Sequence, residues 1–416
     1  MPTFSIPLSG LTAESTALSA IANNLANLNT VGYKDTRVDF KDLFYQTIGS
    51  SGSGDPVQLG AGVGVGSMPS NFTQGNVNPT GVPTDVAIDQ DGFFIVQKDG
   101  VITYTRAGNF SVGDDDTLMT AEGQQVLGYP AVNGAINTGS GLTALALGRG
   151  TISPPTATSS VEIRTNLDAA ATVGSTDGSY STPVTIYDSL GASHVLTFSF
   201  TKTGLDASGN SDWTYTISIP AADVSGSTDI STGTVSFDAN GNLVSPSTDV
   251  ANIAINNFSD GASNLSFTWK LFDNGNPVLT QVASPNGTSA TTQDGTSSGA
   301  LSDFAIGSDG VITGTFSNGK TAILGQLALA TFANEQGLSR TGNNGFSETL
   351  ASGQAAIGAP GTGGRGTLEG GALELSNVDI ATEFAAMIVA QRGFQANAKV
   401  VTTFDQVTQD TINLKQ

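Results

Sequence analysis

The stretch LTAESTALSAIANNLANLNTVGYK (residues 11–34) decides how this chain is read. Leu11, Leu18 and Leu25 recur every seven residues, and Ile21 and Leu28 each fall three after a leucine of that row. The spacing predicts a helix over 4–29, with Ser9 as a candidate cap and Gly32 as its stop. At the other end Leu373, Ile380, Met387, Phe394 and Val401 repeat at the same interval, with Phe384, Ala398 and Ile412 in a companion row. That pattern predicts a helix from about 373 to 414, capped by Asn377 or Asp379. Such rows mark helices that pack against other helices. Neither row has a local segment to bury it, so the two ends are expected to meet. Isolated helices are marginal in water, so both ends are expected to order fully only when several copies pack together.

The middle reads differently. Phe40, Leu43, Phe44 and Ile48 continue the helical spacing, and GSSGSGDP (49–56) reads as a linker. From about residue 71 the period falls to two. AIDQDGFFIVQKDGVITYTRAGNFSV (87–112) alternates apolar runs with turns, and Asp91-Gly92 and Asp99-Gly100 are hairpin signals. TISPPTATSS (151–160) marks a boundary, followed by strands at sandwich or barrel spacing. SPNGTSATTQDGTSSGA (284–300) reads as an exit linker and GQAAIGAPGTGGRG (353–366) as a flexible joint.

The expected fold class is therefore mixed α and β. The N- and C-terminal helices pair as a coiled-coil-like core domain with its linkers (1–70 and 361–416). Two nested, mainly antiparallel β domains of sandwich or barrel type follow, an inner one (71–150 and 301–360) and an outer one (151–300).

Composition narrows the function. The chain has 416 residues, a net charge of −21, 12% charged residues and 52 glycines. Residues 151–300 hold 13 acidic and 3 basic side chains, a surface that repels phosphate backbones and anionic lipid. No nucleic-acid partner and no membrane insertion are expected. There is no cysteine, which excludes disulfides and thiol chemistry. The first basic residue is Lys34, so a cleavable secretory leader is not expected.

Candidate chemical motifs are weak. GAGVGVG (60–66) lacks nucleotide-loop spacing. Asp206, Ser208, Asn210 and Asp212 imitate a calcium loop, but Ser211 and Ile217 stand where glycine and glutamate belong. Asp114–Asp116 reads as a solvated hairpin tip. His194 is the single histidine, and with no second histidine and no cysteine an imidazole-based catalytic or zinc site has almost no material. No catalytic residue, cofactor or metal ligand is expected.

NNLANLNTVGYK (23–34) is the most specific string. Asparagine is a poor helix former, yet Asn23, Asn24, Asn27 and Asn29 surround Leu25 and Leu28, ahead of Gly32 and Tyr33. The amides either cap a frayed helix end or hydrogen-bond across a packed interface. This string resembles the N-terminal signature of the flagellar rod and hook axial proteins. SNVDIATEFAAMIVAQRGFQANAKVV (376–401) is similar to their C-terminal signature, and GFFIV (92–96), YTRAGNF (104–110) and VLGY (126–129) resemble their shared inner β domain. The extra 151–300 segment, with TPVTIYDSLGASHVLTFSF (182–200), resembles the hook branch of the family.

The resemblance implies a structural subunit that polymerises with itself into a flexible, torque-transmitting hollow tube. It implies export through the flagellar type III apparatus, placement outside the cell in the flagellum, and contacts with the distal rod protein, the hook cap protein and the hook–filament junction proteins. The residues expected to face neighbouring copies are Leu11, Leu18, Ile21, Asn23, Asn24, Leu25, Asn27, Leu28, Asn29, Gly32 and Tyr33 at the front, and Ile380, Phe384, Met387, Ile388, Phe394 and Val401 at the back. A distal rod protein of the same family and a β-rich surface adhesin are the competing readings. A hydrolase has no pocket motif to support it.

Overall fold

The structure is a computed structural model that describes residues 5–132, 134–148 and 150–414. It is mostly β, with two long helices and several sheets. It divides into two units, one built from 1–148, 303–314 and 322–416, the other from 149–302 and 315–321. Among the described residues, no helix is long and apolar enough to cross a membrane.

In the first unit, helix α1 spans Ser5–Ala26 and helix α2 spans Ile380–Asn413. The expected helix at 373 starts later. Ala372–Glu374 is a strand paired with Val77–Pro79, and the Asp379 carboxylate caps α2 by accepting from the Thr382 N–H at 2.9 Å. Asn377 serves another purpose: its Oδ1 accepts from the Asp35 N–H at 2.9 Å, and its amide donates to the Asn71 carbonyl at 2.8 Å.

The helical spacing at Phe40, Leu43, Phe44 and Ile48 is misleading. Asp39–Asp42 is a strand paired with Val63–Ser67, and Tyr45–Ser50 forms a hairpin with Pro56–Gly60. The supposed linker at 49–56 is the hairpin's turn, closed by the Ser51 N–H to the Asp55 carbonyl at 2.8 Å. Phe44, just before the hairpin, and Ile48, on its first strand, are exposed. An i, i+4 pattern without a surface to pack on does not hold a helix, and the glycines that follow favour a turn.

The central sheet is organised around Phe93–Lys98. It forms a hairpin with Val101–Thr105 through Asp99 and Gly100, both at positive φ, as a tight primed turn requires. The other expected hairpin, at Asp91-Gly92, does not form, because Val86–Asp89 pairs with Thr367–Gly370. Gln125–Val132 pairs with both 93–98 and 321–327. Side chains alternate across this sheet. Phe94 and Val96 join Val86, Ile88, Leu118 and Leu329 on one face. Phe93 and Ile95 join Tyr104, Tyr129 and Phe346 on the other. Burial on both faces explains the unbroken apolar run FFIV. The supposed joint at 353–366 contains the strand Ala356–Gly358, paired with Leu329–Thr331.

The second unit packs two sheets around one core. One is an antiparallel meander of Ser179–Tyr187, Ser193–Leu205, Ser211–Ser218, Asp229–Phe237 and Leu243–Ser245. The other is mixed: Ser160–Asn166 runs parallel to Leu265–Lys270 and antiparallel to Gly287–Gln293. The last pairing places strand where an exit linker was expected. Trp269 reaches across to Phe198 and Tyr215, with ring centroids 5.3 and 5.1 Å away. Strict in-out alternation in 179–187 and 193–200 gives the meander its buried face.

Candidate assembly surface

The two terminal helices pack against each other through small residues. Gly10, Ala13, Ala17, Ala20 and Asn24 are the buried positions along most of α1, and Glu383 and Ala390 are buried on α2. Gly10 meets Asn397, Glu14 meets Gly393, and Asn24 meets Glu383. These pairs step in opposite directions along the two helices, so the helices run antiparallel in one register. A Cβ at Gly10 would stand 2.7 Å from the Asn397 side chain, and one at Gly393 would stand 2.6 Å from the Glu14 carboxylate. A side chain at either position would have to displace the Asn397 amide or the Glu14 carboxylate, so glycine lets these groups lie against the facing helix.

This seam is not the leucine row read from the sequence. Leu11, Leu18, Ile21, Leu25 and Leu28 lie beside it and are half-buried. On α2, Ile380, Phe384, Ile388 and Phe394 are exposed, Phe384 by 53% and Ile388 by 52%. Met387 and Val401 are half-buried. The exposed apolar side chains of this set thus lie on α2, while those at the front of the chain are partly covered. Between the helices and the segment 35–40 lies a groove of about 430 Å³, lined by Ala17, Ala20, Ile21, Phe40, Ala386 and Val389 among others.

The asparagine cluster divides. Asn24 is 1% exposed and fully engaged. Its amide donates to Glu383 Oε1 at 2.9 Å and to the Thr36 carbonyl at 3.0 Å, and its Oδ1 accepts from the Thr36 N–H at 3.1 Å and the Tyr33 hydroxyl at 3.2 Å. Gly32, at φ 65°, lies against the Arg106–Ala107 backbone, where a Cβ would come within 2.6 Å. Asn24, Gly32 and Tyr33 therefore serve the interior of the chain, because each is buried by the fold itself. Asn27 donates back to the Asn23 carbonyl at 2.9 Å. Asn23 and Asn29 are exposed.

A buried ion cluster fastens the same region and was not singled out in the sequence. Lys34 Nζ lies 2.6 Å from Glu374 Oε1, and Arg106 Nη1 lies 3.4 Å from Glu374 Oε2, with all three side chains essentially inaccessible. Lys34 also donates to the Thr73 carbonyl at 2.7 Å. Burial pulls the Lys34 pKa down, against the attraction of Glu374. Burial likewise pushes the carboxyls of Asp35 and Glu383 up, and Asp35 adds its charge to the effect on Glu383. Arg106 and Glu374 are single charges within the otherwise uncharged strings 101–113 and 370–378, whereas Lys34 is followed by Asp35, Arg37 and Asp39 and gives no such signal.

The geometry is that of a self-contained fold with a spare apolar surface on paired terminal helices. Four family models match the chain. They are the flagella basal body rod protein over residues 6–34, the flagellar hook protein FlgE/F/G D1 domain over 87–166, the flagellar basal body protein FlaE D2 domain over 156–296, and the flagellar basal body rod FlgEFG protein C-terminal region over 369–414. The chain is 37% identical to the flagellar hook protein FlgE of Escherichia coli, over 99% of this chain and 100% of that protein. It is 34% identical to the Treponema pallidum FlgE, over 98% of each. It is 35% identical to the FlgE of Salmonella typhimurium, over 99% of this chain and 100% of that one. The family is structural, its members polymerise within the flagellum, and this chain belongs to it: it is a member of the FlgE family of flagellar hook proteins.

Proposed function

We propose that this chain is the structural subunit of a flagellar hook, building a flexible hollow tube that joins the motor rod to the filament and passes torque through a bend. The observation that carries this reading is the division of labour on the terminal helices. Small residues hold α1 to α2, while Phe384 and Ile388 are exposed and the half-buried Leu11, Leu18 and Leu25 keep part of their surface for neighbouring copies. Exposed apolar surface of this extent is the signature of a partner surface, and identical copies supply its complement. The match of 156–296 to the D2 domain favours a hook over a rod subunit.

In this reading Asn23 and Asn29 add polar contacts at the rim of the interface. Ile21 and Val389 line the groove into which a neighbour's apolar side chains fit. A polymer of this kind would be exported through the flagellar type III apparatus. It would assemble outside the cell beneath a cap, contacting the distal rod below and the junction proteins above. Paired terminal helices acting as a coiled-coil-like core are part of the same proposal. Electron microscopy of the purified protein under polymerising conditions tests it: short, curved, hollow tubes are expected. The Leu25→Asp variant should keep its fold and lose the tubes; normal tubes from it would overturn the interface assignment.

A further inference from the structure

One cluster in the second unit has no part in the assembly reading. His194, the single histidine, is 5% exposed at the start of the strand 193–205. Three carboxylates from three separate turns close on its ring. Nε2 lies 2.9 Å from Asp188 Oδ2 and 3.8 Å from Asp260 Oδ2, and Nδ1 lies 3.4 Å from Asp223 Oδ2. Asp188 is fully buried, and its Oδ1 accepts the Leu190 and Ala192 N–H groups at 2.8 and 2.9 Å, which turns Oδ2 toward the ring. The Phe258 ring covers the imidazole at 4.7 Å. The buried Nδ1 has no hydrogen-bond partner.

A neutral imidazole carries one N–H. Placed on Nε2, it serves Asp188 and leaves the Nδ1 lone pair facing Asp223. Placed on Nδ1, it leaves the Nε2 lone pair facing two carboxylates. An imidazolium would donate to both carboxylates but offers no lone pair to a ligand; a cation between Nε2, Asp188 Oδ2 and Asp260 Oδ2 satisfies both nitrogens with the ring neutral and puts the remaining N–H toward Asp223. That is the carboxylate–histidine–metal arrangement that orients a ligating ring. The three ligand atoms lie within 4.8 Å of one another. Donors around a tetrahedral ion at about 2.0–2.2 Å stand roughly 3.4 Å apart, between the two Nε2–carboxylate separations. A mixed nitrogen and oxygen set of low coordination suits a zinc-class ion better than calcium or magnesium.

We propose that Asp188, His194 and Asp260 form a divalent transition-metal site of the zinc class, with Asp223 orienting the imidazole. The ion ties together the turns at 188–192, 220–224 and 258–261. Two of these are already linked by the Ser259 N–H to the Asp223 carbonyl at 2.9 Å. Metal binding therefore stiffens one end of the acidic unit.

The test uses the full chain, stripped with chelator and titrated with zinc chloride by calorimetry, with the imidazole followed by NMR. Because the chain has one histidine, its ring signal reports the site directly. One zinc per chain is expected, with the ring signal shifting in step and the thermal midpoint rising. His194→Gln should abolish this binding. Asp260→Asn, in a solvent-accessible turn, should weaken it at least tenfold without unfolding the chain, and Asp223→Asn should weaken it about tenfold. Asp206→Asn, in an exposed turn elsewhere, should leave it unchanged. Zinc uptake that leaves the ring signal unmoved, or that Asp260→Asn does not alter, would overturn the proposal, as would no uptake at all.

Discussion

Asn24 and Glu383 stand 359 positions apart in the chain, yet the Asn24 amide donates to Glu383 Oε1 at 2.9 Å. The same amide group satisfies Thr36 and Tyr33. One side chain thus closes the end of α1 onto the first turn of α2 and onto the loop between α1 and the first strand. Asn24→Ala leaves several of these buried groups unpaired, at about 1–3 kcal/mol for each that finds no water. The first unit should unfold at lower urea, measured by far-UV circular dichroism. Asn24→Asp should lose at least as much at neutral pH, because it sets a second carboxylate against Glu383.

The carboxyl of Glu383 also sets a pH dependence. Burial is the main cause of its raised pKa, the Asn24 donor opposes it, and the charge of Asp35 adds to it. A folded pKa above the unfolded one means that the folded state holds its proton more tightly. This contribution to stability is complete below the ordinary value of 4.5 and is lost as pH rises through the folded pKa. Glu383→Gln mimics the protonated form. It should raise the thermal midpoint by about 1–3 °C at neutral pH and bring no gain in acid. Asp35, displaced in the same direction by burial, should leave a trend of the same sign. A lower midpoint for Glu383→Gln at pH 7 would show that the charged form is the one the fold prefers.

The same residues show what the sequence could and could not say. The first helix and the hairpin through Asp99-Gly100 were legible, because each rests on local periodicity and turn chemistry, although the helix ends at Ala26 and not at 29, residue 4 lies outside the described residues, and Ser9 lies within the helix and does not cap it. The seam between α1 and α2 was not. Periodicity finds large apolar side chains, but Gly10, Ala13 and Ala17 are selected by how closely two backbones approach. The leucine row predicted a contact, and the fold made its contact on the adjacent face. The 40–48 stretch failed for the converse reason: its spacing matched a helix, but its strand partners lie at 56–67. The ring of carboxylates around His194 was hidden because its members are scattered over more than one turn and carry no motif.

Lys34 and Glu374 test the buried cluster. Lys34→Met removes the nearer of the two cations and leaves Glu374 with Arg106 at 3.4 Å. Breaking one side of a buried ion pair costs about 3–5 kcal/mol. The loss should appear as a lower denaturation midpoint for the first unit. The double variant Lys34→Met, Glu374→Leu should recover only part of it, since Arg106 then stays buried without its carboxylate.

A pair of substitutions separates the internal seam from the external surface. Gly10→Leu places a side chain where even a Cβ meets Asn397 at 2.7 Å. It should pry α1 from α2, lowering helix content in the isolated subunit and blocking assembly as a consequence. Phe384→Asp changes a residue that is 53% exposed, removing apolar surface without touching the seam. Its isolated subunit should match the parent in helix content and thermal midpoint and still fail to form tubes. The contrast is read by circular dichroism on the subunit and electron microscopy on the polymer. If Phe384→Asp unfolds α2 as severely as Gly10→Leu does, the exposed row is part of the subunit's own fold. If it assembles normally, that row is not where copies meet. Only an intact subunit that cannot polymerise agrees with helices that bind each other through small residues and their neighbours through large ones.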